Sequence, residues 1–185
     1  IGYIRLQEFS ATATRRVEEG LEELLAQEPR GIVFDLRQNP GGWLEQSIAV
    51  ADLFLDEGVI AVRRSSDGEE ENFGGRSGDL GEEIPLVVLV DRNSASASEI
   101  VAGALRDYER GPLIGERTFG KGSVQLVHDL SDQSSLHVTV ARWLTPDRHR
   151  IDGEGLVPDV EVILSEADRA SGADPQLERA IAYFQ

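Results

Sequence analysis

The sequence contains no cysteine. That excludes a disulfide framework and a thiolate nucleophile, and it leaves the redox compartment open. Histidine is scarce, and His128, His137 and His149 have no metal-ligand spacing relative to one another. A metal centre built on histidine is therefore not expected. No apolar run approaches the ~20 residues that a membrane-spanning helix needs. Cationic residues are few, 18 Lys and Arg against 34 Asp and Glu, for a formal net charge of −16. Such a field repels phosphate backbones, so nucleic acid is not an expected partner. The chain opens on Ile1-Gly-Tyr-Ile-Arg-Leu6 with neither an initiator Met nor a signal peptide, which reads as a fragment or a processed piece.

The 185 residues that are present suit one domain with its own core, spanning 1–185. Gly2 to Leu6 alternates like a strand, and Ala13 to Gln27 carries Val17, Leu21, Leu24 and Leu25 on one helical face. Gly31 to Leu36 and Pro85 to Val90 are compact apolar runs of the kind found in buried parallel strands. Helices are predicted over Leu44–Leu55, Ala97–Arg110 and Pro175–Phe184. Further strands are predicted over Val59–Val62, Pro112–Gly115, Val124–Leu130, Ser135–Leu144 and Val160–Leu164. Repeated strand–helix–strand units imply an α/β core with parallel strands and right-handed crossovers. Residues 65–83, rich in glycine and acids, read as a surface loop.

Three stretches carry chemistry. Ser94, Ser96 and Ser98 alternate with alanines where a strand meets a helix. Ser96-Ala-Ser-Glu99 fits a capping box, and one hydroxyl oxygen cannot serve as both cap and nucleophile. The small neighbours leave room for another molecule, and the helix start offers unpaired N–H groups to an oxyanion. Lys121 stands between Gly120 and Gly122, either as a solvated charge or as a base for a nearby serine. Gly115-x-x-x-x-Gly120-Lys121 approaches a nucleotide-binding loop. However, Gly122 stands where Ser or Thr is needed, and a strand follows instead of a helix. Asn39-Pro-Gly-Gly42 is at least a tight turn; in a functional reading it also exposes a glycine N–H toward the strand ends, where open α/β sheets bind ligands.

Gly31-Ile-Val-Phe-Asp-Leu-Arg-Gln-Asn-Pro-Gly-Gly42, Leu89-Val-Asp-Arg-Asn-Ser-Ala-Ser-Ala-Ser-Glu99 and Gly115-Glu-Arg-Thr-Phe-Gly-Lys-Gly-Ser-Val-Gln125 resemble the carboxy-terminal processing, or tail-specific, proteases. Gly153 to Val160 resembles a further stretch of that family, and the likeness covers about residues 1 to 165. The resemblance implies a Clp protease/crotonase-like core of stacked βα units with a mainly parallel sheet. It implies Ser96 as nucleophile, Lys121 as general base, Gln125 as the residue that orients the lysine, and Gly42 and Ala97 as oxyanion-hole N–H donors. It implies no cofactor and no metal. Protein or peptide substrates with apolar C-terminal tails would be the partners, in a bacterial periplasm or envelope or in a plastid thylakoid lumen. Family members usually carry a PDZ domain before this core, and none is found in this sequence. The alternative is a non-catalytic ligand- or peptide-binding module on the same fold. A histidine base, His128 or His137, would replace Lys121 in a third reading.

Overall fold

The computed structural model describes residues 1–76 and 78–185. In chain order the elements are β1 (Gly2–Arg5), α1 (Ala13–Leu25), β2 (Ile32–Asp35), α2 (Leu44–Asp52), β3 (Gly58–Ser65), β4 (Glu70–Gly75), β5 (Leu86–Val90), α3 (Ala97–Asp107), β6 (Leu113–Gly115), β7 (Ser123–Asp129), β8 (Ser135–Leu144), β9 (Val160–Glu161), α4 (Glu166–Ser171) and α5 (Pro175–Ala182). Five strands form a parallel sheet in the order β1-β2-β5-β6-β9. The α/β class and the stacked βα units read from the sequence are what the structure has.

β2 and β5 are buried along their whole length because both faces of the sheet are covered. Ile32, Phe34, Leu86, Val88 and Val90 pack with Val17 and Leu21 of α1, Val50 of α2 and Ile100 of α3. Val33, Val87 and Leu89, pointing the other way, pack with Leu177 and Ala180 of α5. The period-2 alternation of a strand sorts one apolar run into two separate cores.

A second sheet, β4-β3-β8-β7, is antiparallel; the sequence reading placed three of its strands, β3, β7 and β8, but did not gather them into a sheet of their own. It also corrects the expected surface loop over 65–83, since residues 70–75 form β4. Glu70 and Glu71 stand opposite Arg64 and Arg63 and pair with them. Exposed pairs of this kind contribute little. The larger contribution comes from Phe73, whose ring meets Trp143 of β8 edge-on at 5.4 Å. Ser77, also within that expected loop, lies outside the described residues. The short helix α4 was likewise not foreseen; Ser165 caps it by accepting a hydrogen bond from the Asp168 N–H.

The end of β2 is clamped. Arg37 donates to both oxygens of Asp35 and bidentately to Asp174, the N-cap of α5, at 2.7 and 2.9 Å. Burial pushes the Asp174 carboxyl up, but the bonds from Arg37 and from the Leu177 N–H outweigh it and hold it below the usual carboxylate range. Tyr3 donates its phenol to Asp35 Oδ2 at 2.6 Å. Burial and that carboxylate raise the phenol from 10.0 to about 12. Its folded value lies above its unfolded one, so its share of stability is complete below pH 10 and is lost as the pH rises through 12. The urea midpoint of the natural chain should therefore fall more steeply between these pH values than that of Tyr3→Phe. Parallel curves would remove Tyr3 from the account.

Candidate active site

Three loops meet at the C-terminal ends of β2, β5 and β6, the rim where open α/β sheets form sites. Their sequences hold one another. Buried Asn39 donates its amide to the Leu6 carbonyl at 2.9 Å and accepts the Gly41 N–H at 2.9 Å. Its own carbonyl accepts the Ala95 N–H at 3.0 Å and the Ser98 hydroxyl at 2.9 Å. The Ser94 hydroxyl donates to the Leu36 carbonyl at 2.8 Å. The Phe119 N–H donates to the Ser94 carbonyl at 3.0 Å. The two flanking serines thus fasten the 91–96 turn to the 36–42 turn, which leaves the middle one for other work.

Ser96 has φ +57° and ψ −115°, a backbone state that a residue with a Cβ rarely adopts. Such a sharp strand-to-helix turn lifts a side chain out of the surface, and it costs about 1–3 kcal/mol. Ser96 and Glu99 have the disposition of a capping box, and the Ser96 N–H donates to Glu99 Oε2 at 2.9 Å. The Ser96 hydroxyl itself makes no capping hydrogen bond; the Glu99 N–H donates to the Ser96 carbonyl at 2.9 Å instead. The Glu99 carboxylate thus caps the Ser96 N–H at this helix start.

The 36–42 turn comes close enough to matter. A Cβ on Gly41, whose φ is +105°, would lie 2.8 Å from Ser96 Cβ and 2.9 Å from the Ala97 nitrogen. A Cβ on Gly42, at φ +146°, would lie 2.4 Å from the Phe9 carbonyl oxygen. Only glycine fits either place. Phe9 bridges to Gly42 by accepting from Trp43 and donating to Gly41, so Gly42 keeps its own N–H out of that bridge. Among the described residues neither the Gly42 N–H nor the Ala97 N–H, the latter at the first position of α3, has an acceptor.

Glu99 was read from the sequence only as a cap. It is fully buried, and its carboxylate holds the third loop as well as its own helix start. Oε1 accepts the Thr118 hydroxyl at 2.6 Å and the Gly120 N–H at 2.7 Å. Oε2 accepts the Lys121 N–H at 2.8 Å beside that of Ser96. The main chains of Ser96 and Lys121 therefore meet at a single oxygen atom. The sequence held one further signal. Lys121 is the only lysine in the chain, every other cation among the 18 being arginine. Arginine cannot lose its proton in a protein, whereas lysine can.

Not every expected pair is formed. The Lys121 side chain is exposed, and no hydrogen bond joins it to Ser96 among the described residues. Gln125 lies exposed on β7, past an irregularity in the β7–β8 register, and its amide points to Thr139 Oγ1 at 3.4 Å, not to Lys121. His128 and His137 both sit on the exposed β7–β8 hairpin, where His137 Nε2 meets Ser135 Oγ at 3.2 Å. Asp107, Asp147 and His149 bring ligand-type atoms within 4.8 Å of one another, away from these loops. The Asp107 carboxylate is already engaged by Arg106 and by the Asp147 N–H.

The profile of Peptidase family S41 matches residues 1–162. A carboxyl-terminal-processing protease of Synechocystis is 44% identical over 184 residues, 98% of this chain and 43% of that protein. A chloroplastic C-terminal processing peptidase of Tetradesmus obliquus is 42% identical over 162 residues, 88% of this chain and 35% of that protein. The solved structure of a photosystem II D1 C-terminal processing protease superposes with a TM-score of 0.81 at 42% identity, covering 87% of this chain and 42% of that one. The chain spans less than half the length of these relatives.

Proposed function

Because the chain belongs to peptidase family S41, we propose that it cleaves polypeptides near their C-terminal tails by acyl transfer through Ser96, with Lys121 as general base. The observation that carries this reading is the Glu99 carboxylate, which binds the main chains of Ser96 and Lys121 at one oxygen. A buried carboxylate with that arrangement holds the two loops in fixed relation.

Neutral Lys121 Nζ takes the Ser96 proton as Oγ attacks the peptide carbonyl carbon. The oxyanion is received by the N–H groups of Gly42 and Ala97. The tetrahedral adduct collapses, the C–N bond breaks, and the departing amine takes the proton from Lys121. Water, activated by the same lysine, then hydrolyses the ester and frees Ser96. The side-chain contact between Lys121 and Ser96 tightens on substrate binding, as such contacts commonly do. Gln125 orients the lysine in that closed state.

Two exposed aromatics flank the site. Trp43, next to Gly42, is 60% exposed, and Phe119, two residues before Lys121, is 66% exposed. Surfaces of this kind favour apolar side chains, which suits substrates with apolar tails. The setting we propose is a bacterial periplasm or envelope, or a thylakoid lumen; that the longer relatives are bacterial and chloroplastic proteins supports it.

The test is incubation with an unfolded protein bearing an apolar tail, with mass spectrometry of the fragments. Lys121→Ala should remove cleavage, and Gln125→Ala should lower kcat by about 10–100-fold, since an orienting group is less essential than a base. A Lys121→Ala variant that still cleaves would support a histidine base. Intact natural protein that neither cleaves nor reacts with a serine-directed acylating probe would support the binding-module reading.

A further inference from the structure

A second cavity opens on the same rim, towards α4 and α5. It encloses about 540 Å³. Four arginines line it from four separate parts of the chain: Arg5 at the end of β1, Arg37 after β2, Arg92 after β5 and Arg169 on α4. This convergence occurs in a chain whose formal charge is −16.

The acids in the same wall already accept hydrogen bonds. Asp91 accepts the N–H groups of Gln38 and Asn93 at 3.0 and 2.9 Å. Asp174 is taken by Arg37 and by the Leu177 N–H. Glu116 accepts the Leu164 N–H at 3.3 Å. Arg37 is spent on Asp35 and Asp174. Arg5, Arg92 and Arg169 are exposed, and none forms an ion pair among the described residues. Three arginines without an ion-pair partner among the described residues therefore line a cavity of ligand size, whose acids each accept at least one hydrogen bond.

The geometry points to an anion-binding site in this cavity, one that takes a carboxylate or phosphate group through Arg5, Arg92 and Arg169. Guanidinium forks match the paired oxygens of either group. The site stands apart from Ser96. α3, which Ser96 heads, packs on one face of the parallel sheet, and α5, which walls the cavity, packs on the other. The two are joined by one short turn. Arg92 and Asn93 lie four and three residues before Ser96, and Asp91 ties that turn to Gln38 of the glycine turn. An anion held by Arg92 would be fixed to the back of the turn that carries the nucleophile.

The anion could be the C-terminal carboxylate of a peptide or a free small anion. Calorimetry on Ser96→Ala, which cannot consume a peptide, separates the two and does not depend on the proposed catalysis. The probes are inorganic phosphate, a hexapeptide with a free C-terminal carboxylate, and the same hexapeptide amidated at that end. At least one of phosphate and the free-acid peptide should bind, with Kd raised ten-fold or more in Arg92→Gln/Arg169→Gln and unchanged in Arg179→Gln, which lies outside the cavity. Binding of the free acid at least ten-fold tighter than the amide, competed by phosphate, assigns the site to a peptide end. Binding of phosphate alone assigns it to a free anion. Overturning results are no binding of either anion, equal binding of acid and amide without phosphate binding, or affinities that the double variant leaves unchanged.

Discussion

Ser96→Ala should lower peptide cleavage by about 10⁴–10⁶-fold while the circular dichroism spectrum and urea midpoint stay close to those of the natural chain. The hydroxyl makes no capping hydrogen bond, so its removal orphans no helix donor. Alanine must still adopt φ +57°, so it keeps the strain of the natural residue. Ser96→Gly should be equally inactive but more stable than Ser96→Ala by about 1–3 kcal/mol, because the strain of a Cβ at that angle is relieved. Ser94→Ala and Ser98→Ala should behave in the opposite sense. Their hydroxyls are buried and bonded to Leu36 and Asn39. Each loss should cost roughly 1 kcal/mol and leave much of the activity. Rapid cleavage by Ser96→Ala would remove the nucleophile from the proposal, and equal stability of the alanine and glycine variants would remove the strain.

Glu99→Ala should damage the protein in two ways at once. It strands the Thr118 hydroxyl and the Gly120 N–H in the interior, and it frees the N–H groups of Ser96 and Lys121. An unsatisfied buried donor costs about 1–3 kcal/mol, so a loss of roughly 3–5 kcal/mol is expected, short of the full sum because the loops can relax. Activity should fall by about 10²-fold or more even at temperatures where the variant is fully folded, since small misplacements of reacting groups are costly. Glu99→Gln should not rescue it. The amide keeps the shape but presents N–H to N–H on one side of the carboxyl group. Urea melts and kcat at matched folded fractions measure the two effects separately. A Glu99→Ala protein with natural kcat would show that Glu99 braces the fold and nothing more.

How far the sequence reveals all this depends on where the partners lie. β2 and β5 were legible because a strand covered on both faces must be apolar throughout. The Gly41–Gly42 turn was legible because only glycine tolerates its angles and its neighbours. β4 was hidden because its residues are acidic, and its pairing depends on Arg63, Arg64 and Trp143 in other strands. Glu99 was half visible. Three positions after a serine it announces a cap, but its partners Thr118, Gly120 and Lys121 lie about twenty residues on. The strain at Ser96 left no trace, for no glycine marks that turn. The arginine-lined cavity needed the fold itself, since Arg5, Arg92 and Arg169 are brought together only by the order of the strands.

The shared carboxylate also bears on how such a chain comes through its own synthesis. The Ser96 turn, the glycine turn and the Lys121 loop touch only after β2, β5 and β6 have paired, and pairings between distant segments form late. Before that point the serine and the lysine belong to unrelated stretches of flexible polypeptide. A half-made molecule exposes apolar segments such as β2 and β5 while the three loops are still apart. On the proposed function, cleaving capacity would therefore arise only with the folded sheet, because the two reacting groups are brought together by it.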